Sequence, residues 1–356
     1  MKIVVIGGHL TPALAVIEQL RDHDILYIGR KYALEGDKAL SLEYRTMVSM
    51  NIKFQSITTG RLQRKFTLMT IPSLLKLPVG FIQSLFILRK FKPDRVVGFG
   101  GYVEIPVVFS AFFLRIPIVL HEQTLGAGLA NKICSFLAKR ICISWESSAK
   151  KFSRKKIVLT GNPIRKEIIQ ASSSKSEINE IPIIYITGGS LGSHSINVLV
   201  EKSLDELLKN FRIIHQTGDA RQYGDFERLE EVRKGLENKG NYLLKKFLNA
   251  KETAQVLQSA DLVVSRAGMN TVTELLYLNK PCFLIPLPLG REQKLNALFV
   301  KNAGLAEIAN QDDLSPTIFT GIIESMIKNI DKYKVKESLI IEDAKRRIAE
   351  VVLHAV

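Results

Sequence analysis

At Gly188-Gly189-Ser190-Leu191-Gly192-Ser193 an apolar run breaks into glycines and then into a helical pattern that starts near Ser193. Bare backbone N–H groups and the positive end of a helix converge at such a turn, and the ligand they suit is a diphosphate. The same pattern also serves as an ordinary strand-to-helix turn in which glycine supplies φ > 0. Ser265-Arg266-Ala267-Gly268-Met269-Asn270-Thr271-Val272-Thr273-Glu274 makes the same passage from strand through glycine to helix. One turn inside that helix the Glu274 carboxylate could accept hydrogen bonds from both hydroxyls of a ribose, or Thr271 and Glu274 could form a capping box. Gln293 and Asn296 follow another strand and offer amides to sugar hydroxyls, or are ordinary surface amides. Arg165, closing Gly161-Asn162-Pro163-Ile164-Arg165, could reach a phosphate.

A second set of residues lies in the first half. Gly7-Gly8-His9-Leu10-Thr11-Pro12 puts a histidine at the mouth of the first strand, beside a helix N-terminus that disfavours the imidazolium. His9 therefore has a route to act as a neutral general base, against the common structural role of a lone histidine. Thr11 offers the N-cap and Pro12 suits the first turn. Gly98-Phe99-Gly100-Gly101-Tyr102 follows another strand and adds a further cluster of bare amides. His121-Glu122-Gln123 ends an apolar run, where polar side chains cost free energy unless they find partners; Glu122 competes with His9 for the role of base.

These turns need strands and helices to hold them. Short apolar runs at residues 2–6, 25–28, 95–97, 118–120 and 157–159, then 183–186, 212–215, 242–245, 262–264 and 282–285, alternate with helical stretches. That is the βαβ pattern of a parallel sheet covered on both faces. Each series opens with a strand running into glycines and a helix, so the expected fold is α/β, with two Rossmann-like parallel-sheet domains facing across a cleft. With 356 residues, two domains of about 150 each are natural. The expected divisions are 1–163, 164–334 and a terminal amphipathic helix over 335–356 that packs back on the first domain, with residues 172–176 as a linker.

Composition narrows the partners. Fifty Lys and Arg against 35 Asp and Glu give a formal charge of +15, which favours nucleic acid, anionic lipid or phosphorylated ligands. Aromatics are not interleaved with the cations as a stacking platform, which argues against nucleic acid. The three cysteines show neither a disulfide framework nor metal spacing, and a reducing cytoplasm suits them. The apolar run at residues 3–6 is too short for a signal peptide and reads as a buried strand. Residues 66–91 are long and apolar, but Pro72, Lys76 and Pro78 argue against a membrane span. With Arg61, Arg64 and Lys65 before them and Arg89, Lys90 and Lys92 after, they read as an interfacial segment on an anionic bilayer, or else as two core helices.

Taken together, GGHLTPALA, GFGGY, LHEQ, GNPIR, GGSLGS, HQTG, SRAGMNTVTE and QKLNA stand in the order and spacing of one family. From its start to about residue 310 the chain resembles the MurG family of glycosyltransferase family 28, and several such motifs together are far more specific than one glycine pattern. The resemblance implies a GT-B fold and an inverting, metal-independent, cofactor-free transfer of GlcNAc from UDP-GlcNAc to the muramyl 4-hydroxyl of lipid I. It implies a peripheral enzyme at the cytoplasmic face of the cell membrane, with UDP-GlcNAc, lipid I and an anionic membrane surface as partners, and it leaves oligomeric state open. By resemblance Ser190, Leu191 and Gly192 hold the UDP diphosphate, Glu274 the ribose, and Leu248 borders uracil. Met269, Asn270, Thr271, Val272 and Thr273 add backbone contacts, Gln293 and Asn296 fix GlcNAc hydroxyls, and Gly7, Gly8, Thr124 and Arg165 complete the UDP-GlcNAc site. Gly8, His9, Gly100, Gly101 and Tyr102 receive the acceptor diphosphate.

Two departures stand out. The family's first loop is usually longer, GGTGGH or similar, so fewer amides remain here for the acceptor phosphates. Thr124 replaces the asparagine of HEQN. Other readings are a UDP-sugar transferase with a different lipid acceptor, a UDP-GlcNAc 2-epimerase, and a non-catalytic nucleotide-sugar-binding membrane subunit. A dehydrogenase is disfavoured, since neither glycine turn spells GxGxxG.

Overall fold

The computed structural model describes residues 1–32, 40–60, 70–172, 180–189, 191–218 and 223–355. Its contacts divide the chain into two units, Met1–Ile164 with Ile341–Val356, and Arg165–Ile340. The first holds a parallel sheet of seven strands, β1 (Lys2–Ile6), β2 (Asp24–Gly29), β3 (Lys53–Ser56), β4 (Arg95–Gly98), β5 (Ile118–Glu122), β6 (Arg140–Ile143) and β7 (Ile157–Leu159), in the order β3-β2-β1-β4-β5-β6-β7. The second holds six, β8 (Ile183–Thr187), β9 (Arg212–Gln216), β10 (Tyr242–Lys245), β11 (Leu262–Ser265), β12 (Cys282–Leu284) and β13 (Ala306–Ile308), in the order β10-β9-β8-β11-β12-β13. Both are doubly wound α/β sheets, as the alternation of the sequence requires.

Burial on both faces explains why the strands read as unbroken apolar runs. Successive side chains of β1 point to opposite faces. Val4 and Ile6 pack with Val107, Val108 and Ala111 of the helix Glu104–Phe113. Ile3 and Val5 pack with Ala13, Val16 and Ile17 of the helix Leu10–Gln19, and with Ile348 and Val352 of the terminal helix. That terminal helix spans Ala344–His354 and lies against Leu10–Gln19 and β4 to β6; residues 335–343, expected to belong to it, are not helical.

In each sheet the strand order reverses beside the first strand, between β1 and β4 and between β8 and β11. Connections leave such neighbours in opposite directions and open a crevice at their carboxyl ends. The turns after β1 and β4 therefore meet in the first unit, and those after β8 and β11 in the second.

Of the segment 66–91, residues 66–69 lie outside the described residues, as do Arg61, Arg64 and Lys65. The remainder is one helix, Thr70–Phe91, that runs through Pro78, so the two-helix alternative does not hold. No described helix is long and apolar enough to cross a membrane.

Candidate functional site

In the first unit His9 occupies the N-cap position of the helix Leu10–Gln19 with extended backbone and no side-chain cap bond. Thr11, expected to cap it, already lies in the first turn. The imidazole turns instead to the β4 turn, where Nδ1 is 2.7 Å from the Phe99 carbonyl oxygen. A carbonyl only accepts, so Nδ1 carries a proton, and in the neutral ring the lone pair is on Nε2. No described residue hydrogen-bonds Nε2, and the ring lines a cavity of about 200 Å³ with Gly100, Gly101, Tyr102 and Asn131. Gly8 makes this approach possible, since a Cβ there would sit 2.0 Å from the Gly100 oxygen.

The acceptor-side amides are fewer than expected. Gly7 N–H donates to the Ile28 carbonyl at 2.8 Å and His9 N–H to that of Phe99 at 3.2 Å. Gly100 N–H is taken by the Glu104 carboxyl at 2.6 Å. The Gly100 and His9 amides, expected at the acceptor diphosphate, and that of Gly7, expected in the UDP-GlcNAc site, are thus already engaged in the framework. Gly8, Gly101 and Tyr102 keep amides with no described partner.

Glu122, the competing base, is buried and saturated. Its Oε1 accepts from Thr124 N at 2.9 Å and Thr124 Oγ1 at 2.6 Å; its Oε2 accepts from Gly128 N at 2.8 Å and Asn131 Nδ2 at 2.9 Å. Four donors occupy the lone pairs a base would use, so the geometry makes Glu122 the anchor of the loop leading into the helix Leu129–Cys134. Thr124 spends its hydroxyl proton on that anchor.

In the second unit the turn after β8 is drawn tight by bonds from Gly189 N–H to Thr187 Oγ1 and from Gly192 N–H to Gly189 O, each at 3.0 Å. Gly192 has φ +79°, and a Cβ there would lie 1.9 Å from the Thr217 oxygen. Only glycine meets both demands. Ser193 then occupies the N-cap position of the helix His194–Glu201 without a side-chain cap bond, while Leu191 is exposed and Ser190 lies outside the described residues.

Arg266 is a residue the sequence reading passed over. It is buried beneath this turn, with Nη1 donating to the Ile285 carbonyl at 2.8 Å and Nη2 to Ser193 Oγ at 2.7 Å, Ser195 Oγ at 2.8 Å and Gln311 Oε1 at 2.6 Å. These partners are neutral, so its charge adds a positive field beside the turn, and burial lowers its pKa. The available signal was an arginine directly ending the apolar strand LVVS.

Glu274 lies on the buried side of the helix Met269–Tyr277, whose N-cap is Gly268. The helix starts before Thr271, which rules out the capping-box alternative. Arg165 grips the Glu274 carboxylate in a bidentate pair, Nε to Oε1 and Nη2 to Oε2, both 2.7 Å. Two expected donor-site residues are brought together here. Asn270 and Thr271 are half-buried, and Val272 and Met269 are buried with Thr273, whose hydroxyl bonds the Met269 carbonyl at 2.8 Å. Leu248 is buried as well. Gln293 accepts from Leu287 N–H at 3.0 Å and retains its amide NH₂. Asn296, expected to face a sugar, is wholly buried and pins the Ala267 carbonyl through Nδ2 at 3.0 Å. It holds the turn after β11, and its Oδ1 has no described partner.

Away from these turns, Val79, Ile82 and Phe86 form an exposed stripe on Thr70–Phe91, next to exposed Phe109, Phe112 and Phe113 on Glu104–Phe113. Phe112, Phe113 and Phe136 line a cavity of about 760 Å³ together with Arg115, Lys139 and Lys156.

Residues 6–143 match the N-terminal domain of glycosyltransferase family 28, and residues 183–352 match its C-terminal domain. A UDP-N-acetylglucosamine–N-acetylmuramyl-(pentapeptide) pyrophosphoryl-undecaprenol N-acetylglucosamine transferase of Clostridium kluyveri is 33% identical over 367 residues, spanning 99% of this chain and 98% of the relative. One of the same name from Treponema denticola is 35% identical over 339 residues, 90% of this chain and 85% of the relative. Among solved structures, MurG of Acinetobacter baumannii matches with a TM-score of 0.76 at 23% identity, over 99% of both chains. The UDP-GlcNAc 2-epimerase of Neisseria meningitidis bound to UDP-GlcNAc matches with 0.63 at 16% identity, over 99% of this chain and 100% of the other. At those identities the structures speak for the fold.

Proposed function

Because the chain belongs to glycosyltransferase family 28, among its UDP-N-acetylglucosamine–N-acetylmuramyl-(pentapeptide) pyrophosphoryl-undecaprenol N-acetylglucosamine transferases, we propose that it transfers GlcNAc from UDP-GlcNAc to lipid I. It is a hexosyltransferase, and the product is the disaccharide-bearing lipid II of peptidoglycan synthesis. The observation that carries the reading is the near-full-length identity to these relatives.

The chemistry we infer is a single inverting displacement. His9 Nε2 takes the proton of the muramyl 4-hydroxyl, the oxygen attacks the anomeric carbon, and UDP leaves. What supports His9 is its fixed tautomer and an Nε2 with no described partner. The charge that develops on the departing diphosphate meets the Leu191 and Ser193 amides, which have no described partner, the N-terminus of His194–Glu201 and the Arg266 field, so no metal is required. Glu274 receives the ribose hydroxyls while Arg165 holds its carboxylate. The amides of Gly8, Gly101 and Tyr102 take the acceptor diphosphate.

The enzyme works, in this reading, as a peripheral protein on the cytoplasmic face of an anionic membrane. The exposed phenylalanines of Glu104–Phe113, the stripe on Thr70–Phe91 and the cations Arg89, Lys90, Arg115 and Lys139 suit insertion of rings at the acyl boundary with phosphate headgroups around them.

One experiment tests the whole reading. Purified protein with labelled UDP-GlcNAc and a lipid I analogue should yield a disaccharide lipid and UDP. Release of free ManNAc from donor alone would instead make it an epimerase, and UDP binding without turnover would make it a non-catalytic subunit.

A further inference from the structure

The peptide linking Phe99 to Gly100 is held from both sides. Its carbonyl accepts two bonds from His9, from the backbone N–H at 3.2 Å and from ring Nδ1 at 2.7 Å. Its N–H donates to Glu104 Oε2 at 2.6 Å. Glu104 is the first residue of the helix Glu104–Phe113 and its side chain is wholly buried. Gly98 makes room for it, since a Cβ at that position would lie 2.4 Å from Glu104 Oε2.

A carboxyl in such a place is expensive. Its second oxygen, Oε1, is buried without a hydrogen bond of good geometry, and the one further donor beside the carboxyl is the weak Cys134 thiol. Burial pushes the group up to about 8, against the lowering effect of the Gly100 amide, and Glu122 adds to the rise. A serine or alanine would avoid that cost, and the helix has no need of Glu104 as a cap. What the carboxyl does hold is the one peptide that orients His9.

We propose that Glu104 is a positioning residue for His9: through the rigid Phe99–Gly100 peptide it fixes the plane and tautomer of the imidazole, so that Nε2 keeps its lone pair for the acceptor hydroxyl. This rests on the reading of His9 as general base. A peptide unit is planar, so a bond to its N–H also fixes the direction of its C=O. Without the Glu104 oxygen the peptide is held only through its carbonyl, by the longer bond from the His9 backbone N–H, and the direction of the acceptor for Nδ1–H is no longer fixed. The imidazole can then carry its proton on Nε2, and that tautomer cannot accept one from the substrate.

The test compares Glu104→Met, which fills similar space without an acceptor, with Glu104→Gln, His9→Ala and the Glu104→Met/His9→Ala double variant. Glu104→Met is expected to lose on the order of 10- to 100-fold in kcat with the KM for UDP-GlcNAc unchanged, as for outer residues that orient a working imidazole. Glu104→Gln still offers an oxygen to Gly100 N–H and should recover most of that loss. In the His9→Ala background Glu104→Met should cost nothing further. Nitrogen-15 NMR of labelled histidine should show the Nδ1–H tautomer of His9 in the wild type and Glu104→Gln, and its loss in Glu104→Met.

Wild-type kcat in Glu104→Met, an equal loss with and without His9, or an unchanged tautomer each overturns the proposal. Should Glu104→Met not fold, Glu104→Ala is the second acceptor-free variant. Full activity in His9→Ala removes the base reading, while the tautomer measurement still decides whether Glu104 governs the ring.

Discussion

Arg165 and Glu274, 109 positions apart in the chain, meet side by side in the second unit, with two hydrogen bonds of 2.7 Å between guanidinium and carboxylate. Each Glu274 oxygen accepts one arginine N–H and retains a lone pair. The pair therefore leaves a charged, oriented acceptor, the one proposed to receive the ribose, without needing to break.

Removing that acceptor should weaken the donor before it slows the chemistry. Glu274→Ala is expected to raise the KM for UDP-GlcNAc and the inhibition constant of UDP by about tenfold or more, the effect of one or two lost bonds to a charged group, with kcat nearly unchanged. Steady-state kinetics with varied donor check this. A large fall in kcat at unchanged KM would place Glu274 in the chemical step instead.

His9 and Glu122 should separate by what their loss damages. His9→Ala is expected to lower kcat by about 10²- to 10⁴-fold with the melting temperature unchanged. Glu122→Ala strands four donors, among them the amides of Thr124 and Gly128, and should lower the melting temperature clearly. Calorimetry beside turnover assays distinguishes the two; a stable Glu122→Ala enzyme with abolished turnover would return Glu122 to the role of base.

Membrane docking should depend on rings and charge together. Phe112→Asp with Phe113→Asp, two exposed positions, is expected to abolish co-sedimentation with anionic vesicles while turnover on a water-soluble acceptor analogue persists. Wild-type binding should weaken as salt rises, because the Debye length shrinks from about 10 Å at 0.1 M to about 3 Å at 1 M. Co-sedimentation unaffected by either the substitutions or the lipid charge would exclude this surface.

Buried histidines set the acid limit of stability. His121 and His215 are both pushed down to about 3 by burial, from 6.5. The neutral form of His215 is matched on both sides, by Asn197 Oδ1 at 3.0 Å on Nε2 and by the Tyr242 hydroxyl at 2.9 Å on Nδ1. The unfolded chain takes up a proton at each near 6.5 and the folded chain only near 3. Stability from this source is therefore complete above about 6.5 and lost as pH falls toward 3. Glu104 runs the other way: its value of about 8 exceeds the ordinary 4.5, so its contribution is complete below about 4.5 and lost as pH rises through 8. The urea midpoint plotted against pH should peak near 6.5, and His215→Gln should flatten the acid limb. An acid limb of unchanged steepness in that variant would contradict the assignment.

Much of this was legible in the chain itself. Apolar runs bounded by glycine or proline marked ten of the thirteen strands among the described residues, because strands buried on both faces must be apolar throughout. The missed three carry weak signals: β3 is the polar edge strand KFQS, β13 is a short edge strand, and β6 is RICI. The glycine turns, the histidine and the glutamate of the site were readable because few other residue types permit such geometry. Which groups remain open for chemistry was decided only in three dimensions. Neither the saturation of Glu122, the burial of Asn296, the engagement of the Gly7 and Gly100 amides, nor the grip of Glu104 on the peptide beside His9 follows from spacing. Each depends on which loops the β1–β4 and β8–β11 reversals bring side by side, and hydrogen-bonding capacity already spent on a neighbour is invisible until that neighbour is in place.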